Sequence, residues 1–231
     1  MNFSPLRSGT TVGGNEIKAF ISENKGDDFL YLMAGVHGDE VEGVYVLQKL
    51  YDWLQTSIQL DIPIVVIPIL NIDGYTAQTR VNANGVDLNR NLPTKDWKEE
   101  FSEAQYNPGK NAMSEPENIF LEGLFQKFNP KFIYSFHSWK PIVNYNGDCL
   151  ADAELVGLLN HYPVAGDIGY PTPGSLGTFA PEKYQCPVIT FECPKLSKQL
   201  SLEKIWQDNR ISLMTHLQSE LLKNKFSSEA I

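Results

Sequence analysis

The sequence predicts an α/β fold, a three-layer α/β/α sandwich built on a mixed, mostly parallel, twisted sheet. Three observations point there. Apolar, β-branched runs alternate along the chain with stretches of helical period. Some of those runs, Phe29–Val36 above all, are apolar at nearly every position, as strands covered on both faces must be. Three runs also stop at a residue able to bind metal or carry a proton, namely His37, His137 and Glu192. No internal repeat or domain-breaking linker interrupts the pattern, so residues 1–231 are expected to form a single domain.

Taken in order, Gly13-Gly14 turns the chain into an edge strand, Ile17–Ile21, and Phe29–Val36 follows as a central strand. After the His37–Glu40 turn comes a helix, Val41–Leu54, with Val41, Val44, Tyr45, Leu47, Gln48 and Leu54 on its apolar face. Ile62–Leu70 is a strand whose two prolines mark bends or ends, and it delivers a polar turn, Asn71-Ile-Asp-Gly74. The stretch from Thr76 to Pro108 lacks periodicity and is rich in Asn, Arg and charge, which suits a functional segment. Ser114-Glu-Pro-Glu117 opens the next helix, with Ser114 as cap and Glu117 reaching back. Its expected apolar face is Ile119, Phe120, Leu124 and Phe128, and Asn129-Pro130 stops it. Phe132–Ser138 is a strand, Ala151–Leu159 a helix, Gly166–Gly177 a loop and Pro187–Phe191 a strand. Leu202–Leu222 is a terminal helix, and residues 227–231 should fray.

A 42% apolar composition fills a sizeable core, and the net charge of −9 argues against a nucleic-acid surface, which needs a basic face. The longest apolar run, Ile62–Leu70, is far short of the ~20 residues that cross a bilayer. Met1–Thr10 carries Pro5 and Arg7 and does not read as a leader. The three cysteines have no CxxC spacing, and the strand between Cys186 and Cys193 keeps them roughly 20 Å or more apart. A reduced, cytoplasmic protein is expected. Neither a Gly-x-Ser-x-Gly elbow nor His-Glu-x-x-His occurs, and no phosphate-binding glycine loop.

Ligands of open α/β sheets bind outside the carboxyl ends of the strands, where His37, His137 and Glu192 all fall. Two histidines and a glutamate, His37, His137 and Glu40, with a fourth position left to water, would make a catalytic zinc site. Asp87 is a candidate partner for the far N–H of a ligating imidazole. Glu192 could serve as general base and then general acid. Arg80 and Arg90 could clamp a carboxylate or steady an oxyanion. Each has a plainer reading, since a lone histidine after a strand is more often structural and a loop arginine more often solvated. No single residue carries the assignment.

Together the segments resemble the zinc carboxypeptidases related to carboxypeptidase A. His37-Gly-Asp-Glu40, Asn71-Ile-Asp-Gly74, Arg80, Gly85-Val-Asp-Leu-Asn89-Arg90-Asn91, Ser135-Phe-His137-Ser138 and Thr190-Phe-Glu192 occur in that family's order. The resemblance implies one zinc ion per chain on His37, Glu40 and His137, with Glu192 as general acid/base. It implies that Arg80 polarises the scissile carbonyl and that Asn89 and Arg90 hold the substrate's terminal carboxylate. Asp87 matches the partner of the first zinc histidine, and Leu176 the lining of the released residue's pocket. Tyr170 stands at a plausible distance from Glu192 for the family's mobile tyrosine. Ser114–Glu117 and Tyr170-Pro-Thr-Pro-Gly-Ser-Leu-Gly177 are similar to a bacterial branch, the murein peptide amidases. That branch cuts the γ-D-glutamyl–meso-diaminopimelate bond of murein tripeptide in the cytoplasm during cell-wall recycling. The partner expected is then a small peptide, with no nucleic acid and no membrane, and a homodimer stays open. Other readings are a carboxypeptidase of different specificity, an N-acyl amino acid deacylase related to aspartoacylase and succinylglutamate desuccinylase, or an inactive peptide-binding relative.

Overall fold

The computed structural model describes residues 1–57 and 60–227. Its first strands are β1 (Phe3–Pro5), β2 (Gly9–Thr10), β3 (Glu16–Ile17), β4 (Phe20–Ser22), β5 (Asp28–Ala34) and β6 (Ile64–Ile67). The later ones are β7 (Asn129–Trp139), β8 (Ile142–Asn146), β9 (Val164–Ala165) and β10 (Val188–Pro194). The helices are α1 (Val41–Ser57), α2 (Ile72–Ala77), α3 (Pro116–Lys127), α4 (Leu150–Asn160), α5 (Leu176–Tyr184), α6 (Leu202–Gln218) and α7 (Glu220–Phe226).

Eight strands form one mixed sheet in the order β1-β4-β6-β5-β7-β10-β8-β9, and β2 and β3 form a separate hairpin. The centre, β6-β5-β7-β10, is parallel. Period-two alternation splits β5 between two cores. Leu30, Leu32 and Ala34 face α1, α4 and α6, while Phe29, Tyr31 and Met33 face α3 and α5. Helices thus cover both faces, giving the three-layer sandwich. A buried polar chain also crosses the first core. Tyr134 Oη lies 2.7 Å from His216 Nδ1, His216 Nε2 lies 2.8 Å from Asp152, and Lys225 pairs with Asp152 at 3.2 Å. His216 is therefore a structural residue tying α6 to β7 and α4.

Several local expectations are corrected. The strand expected at Ile17–Ile21 is broken between β3 and β4, and β4 lies inside the sheet with β1 as the edge. Pro63 and Pro68, lacking N–H donors, bound β6 tightly. The polar turn after β6 winds into α2, whose cap Asn71 accepts from Gly74 N at 2.9 Å. On α1, Gln48 is exposed and bonds Asp52, while Val46, Leu50 and Tyr51 join the buried face.

Ser114 does not cap α3. Glu115 holds that position without a side-chain bond, and Ser114 Oγ donates to Glu115 Oε1 instead. On α3, Phe120, Leu124 and Phe128 pack against the second core as expected, whereas Ile119 is exposed and Leu121 and Phe125 are buried beside them. The strands β8 and β9 and the helix α5 were not expected. The terminal helix is two helices, because Ser219 ends α6 and its hydroxyl accepts from Leu222 N to start α7. The fraying expected at 227–231 falls, beyond residue 227, outside the described residues. All three cysteines are free and buried, as expected for Cys186 and Cys193. Among the described residues no helix is long and apolar enough to cross a membrane.

One contact fixes the turn after β5. A Cβ on Gly38 would lie 1.9 Å from the carbonyl carbon of Gly74, so α2 packs backbone to backbone against it. Gly38→Ala should lower the unfolding free energy by about 2 kcal/mol or more, since only backbone can give way there. Denaturant titration with an unchanged midpoint would show that α2 does not press on this turn.

Candidate metal centre and active site

The central strands deliver the site. In the parallel pairing of β7 and β10, His137 and Glu192 are direct register partners. Both lie inside the last turns of their strands rather than after them, because pairing continues to Trp139 and Pro194. β5 stops at Ala34, opposite Phe136, and Gly35, at φ +63°, swings the chain outward to His37. Glu40 sits just before α1. A Cβ on Gly43 would come within 2.8 Å of the Phe136 carbonyl oxygen, so glycine lets the first turn of α1 lie on β7. Gly43 N donates to Ser138 Oγ, and Ser138 N donates to Glu40 Oε2, pinning that carboxylate beside His137.

Three buried side chains converge. Glu40 Oε1 is 2.9 Å from His37 Nδ1, Glu40 Oε2 is 2.8 Å from His137 Nδ1, and the two Nδ1 atoms are 3.2 Å apart. Among the described residues they form the one group of three or more His, Cys, Asp or Glu able to hold a metal ion. The far ring nitrogens are occupied. His37 Nε2 donates to Asp87 Oδ1 at 3.0 Å, and His137 Nε2 meets Ser135 Oγ at 3.0 Å. Two nitrogen donors and a carboxylate facing one point are electron-rich and suit a cation. Tetrahedral zinc, with its ~2.0–2.2 Å bonds, sets ligand atoms roughly 3.3 Å apart, close to the spacing found. The electrostatics agree. Burial opposes charge on His37, yet Glu40 and Asp87 outweigh burial and Arg80 and raise its pKa. Burial likewise opposes ionisation of Glu40, but His37 and His137 hold its pKa well below the ordinary range.

Asp87 is fully buried and its pKa is lowered: burial works against ionisation, and His37, Arg80 and Arg90 overcome it. It caps a 3₁₀ turn, Leu88–Arg90, by accepting from Asn89 N at 2.9 Å. Arg80 donates both Nε and Nη2 to Asp87 Oδ2, at 3.0 and 2.9 Å, and its Nη1 is 3.6 Å from Glu40. Arg90 is 5% exposed and donates Nη1 to the Asn89 carbonyl at 2.7 Å. Asn89 Oδ1 accepts from Leu176 N at 2.8 Å, which fixes the amide. Glu192 has one buried oxygen, Oε2, without a protein partner among the described residues. Burial first, then Glu40, raise its pKa to about 7 against the pull of His137 and Arg80.

A cleft of about 1150 Å³ collects them all: His37, Glu40, Arg80, Asn89, Arg90, His137 and Glu192 line it. Tyr170 stands there too, its ring edge-on to Trp139 at 5.7 Å. Leu176 does not line it. That side chain is buried in the second core, and Gly177 lies on the cleft in its stead. Sequence reasoning missed Ser135 behind His137, Tyr106 beside the arginines, and Lys195, whose Nζ donates to the Asp39 carbonyl. Only Ser135 had a local signal, standing two residues from His137 on one face of a strand.

Residues 3–163 match the zinc carboxypeptidase family of peptidases M14. The chain belongs to this family. It is a hydrolase, and its zinc-carboxypeptidase relatives include the murein peptide amidase A of Vibrio campbellii, 32% identical over 226 residues that cover 92% of this chain and 88% of that one. The crystal structure of the murein-tripeptide amidase MpaA of Escherichia coli O157 superposes with a TM-score of 0.75 at 25% identity, covering 95% and 93% of the two chains. Bovine thrombin-activatable fibrinolysis inhibitor, bound to a tick carboxypeptidase inhibitor, shares the fold with a TM-score of 0.76 at 17% identity, over 96% of this chain and 91% of that one.

The geometry makes Asp87 the support of His37. Asp87→Ala should weaken zinc affinity about 10–100-fold, measured by competition with a chelator. Affinity equal to that of the unmutated protein would mean the imidazole is oriented by something else.

Proposed function

We propose that residues 1–231 act as one catalytic domain, a zinc-dependent amidase that cuts a peptide bond next to a free carboxylate. Its substrate on this reading is murein tripeptide, cleaved at the γ-D-glutamyl–meso-diaminopimelate bond in the cytoplasm during cell-wall recycling. One observation carries it: Arg90, a buried arginine without a carboxylate partner among the described residues, lines the same cleft as the His37–Glu40–His137 cluster and Glu192. A buried cation needs a counterion, and a substrate carboxylate would supply one. The murein peptide amidases among the relatives support the choice of peptide.

His37, Glu40 and His137 would hold one zinc ion, which when bound supplies Lewis acidity to a water and to the scissile carbonyl. The Glu192 carboxylate, which lines the cleft, takes the proton of the attacking water and passes it to the departing nitrogen. A carboxylate raised to about 7 is matched to that exchange near neutral pH. Arg80, held by its fork to Asp87, meets the negative charge that grows on the carbonyl oxygen. Asn89 and Arg90 hold the carboxylate beside the cut and so set the bond in register. Ser138 N and Gly43 keep Glu40 in place while charge moves around it.

Glu192→Gln should keep zinc and lose about 10²–10⁴ in kcat, checked by metal analysis and steady-state rates. Turnover at the unmutated rate would remove Glu192 as the base. Arg90→Ala should raise KM for substrates with a free carboxylate at the cut and leave carboxamide-capped ones little changed. Equal losses on both would contradict the clamp. A panel of murein tripeptide, ordinary L-peptides, and N-acetyl or N-succinyl amino acids tests the substrate. Preference for the acyl amino acids would overturn the peptide reading.

A further inference from the structure

The two cleft arginines are held very unequally. Arg80 has a two-bond fork to one carboxylate and an ion pair to another. Arg90, although buried, makes a single hydrogen bond, to a neutral carbonyl, and no ion pair among the described residues. A like-charged guanidinium stands in the same cleft wall. Something other than a carboxylate must keep Arg90 in one geometry before substrate arrives.

Tyr106 fits that need. It ends the 3₁₀ turn Ala104–Tyr106 in the irregular segment, and it lines the same cleft. Its ring centroid lies 5.4 Å from Arg80 Cζ and 5.7 Å from Arg90 Cζ, within range for the aromatic face to attract both cations. The turn is tied to the loop that carries the arginines: Asp87 N donates to the Asn107 carbonyl at 2.8 Å, and Asn107 Nδ2 donates to the Gly85 carbonyl at 2.9 Å. The backbone that bears the ring is therefore tied to the loop of Asp87, which also holds Arg80 and His37.

We propose that Tyr106 is a positioning residue whose aromatic face, shared between the two guanidiniums, sets Arg90 at the distance from Arg80 that a substrate carboxylate beside the scissile bond requires. This rests on the reading of Arg90 as the carboxylate holder. Arg80 keeps its place through Asp87 without the ring, so loss of the ring falls on binding and not on the chemical step. The face does the work, so the hydroxyl is dispensable.

The test uses the zinc-loaded full chain and the best-cleaved peptide of the panel above, with its carboxamide-capped form. Tyr106→Leu should raise KM for the free carboxylate about ten-fold, hold kcat within about two-fold and barely affect the capped peptide. Tyr106→Phe should stay within about two-fold of the unmutated enzyme throughout. Tyr106→Met, which fills the space without a π face, is measured in parallel, should raise KM for the free carboxylate to a similar extent, and replaces the leucine variant if that one unfolds the turn. An unchanged KM in both Leu and Met variants, with Arg90→Ala still raising KM, overturns the role of Tyr106 and leaves the clamp standing. Equal losses on free and capped peptides, or a Phe variant as impaired as Leu, also overturn it. An Arg90→Ala enzyme with unaltered KM, or an unmutated enzyme that cuts no peptide of the panel, removes the clamp itself and Tyr106 with it.

Discussion

The carboxylate of Asp87, out of contact with solvent, spends both oxygens on groups of the cleft. Oδ1 accepts from His37 Nε2 and from Asn89 N, and Oδ2 accepts from Arg80 Nε and Nη2. A buried carboxylate is costly unless its lone pairs are filled, and four donors fill these. The consequence is geometric. The orientation of one histidine of the metal-capable cluster, the place of the paired arginine and the start of the 3₁₀ turn bearing Asn89 and Arg90 all follow from one side chain. Separate anchors would let each drift, and a displacement of about 1 Å is costly in a reacting geometry.

Around that point, regular and irregular structure divide the labour. The parallel register of β5, β7 and β10 sets His137 beside Glu192 and brings His37 to the same end of the sheet. The arginines come from a long irregular segment, which must satisfy its own backbone groups in the interior. Asparagines do so. Asn91, wholly buried, donates to the carbonyls of Pro108 and Asn111 and to Ser114 Oγ. Asn82 Oδ1 accepts from Asn84 N and Val86 N while its amide donates to Glu115 and Glu117. The polar density of this segment is thus mostly scaffold, which lets a few side chains face the cleft.

The protein carries a net charge of −9, and its cleft mixes both signs: Arg80, Arg90, Lys98 and Lys195 line it together with Asp39, Glu40, Glu100, Asp167 and Glu192. Overall charge therefore says nothing about the sign of what the cleft accepts. Position and pairing decide. Arg80 is paired with two carboxylates, whereas Arg90 has no ion pair among the described residues.

The sequence by itself determined the α/β class, because strands buried on both faces must be apolar throughout, and it picked out His37, Glu40, His137, Glu192, Arg80, Asn89 and Arg90, which the fold brings to one cleft. Most were legible because each sits in a short local pattern at the end of an apolar run or inside a dense polar segment, while Asn89 was singled out only by the resemblance to the zinc carboxypeptidases. Elements set by distant contacts were not. β8 is a strand through its pairing with β10, α5 begins where Asn89 receives Leu176 N, and the helix expected at 202–222 divides because Ser219 turns its hydroxyl to Leu222 N. Ser114 lost its capping role to a bond with Glu115, and Leu176 faced the core while its glycine neighbour took the cleft. Tertiary structure alone decided which arginine is paired and that Tyr106 comes within reach of both, since both depend on distances between groups that no sequence spacing encodes.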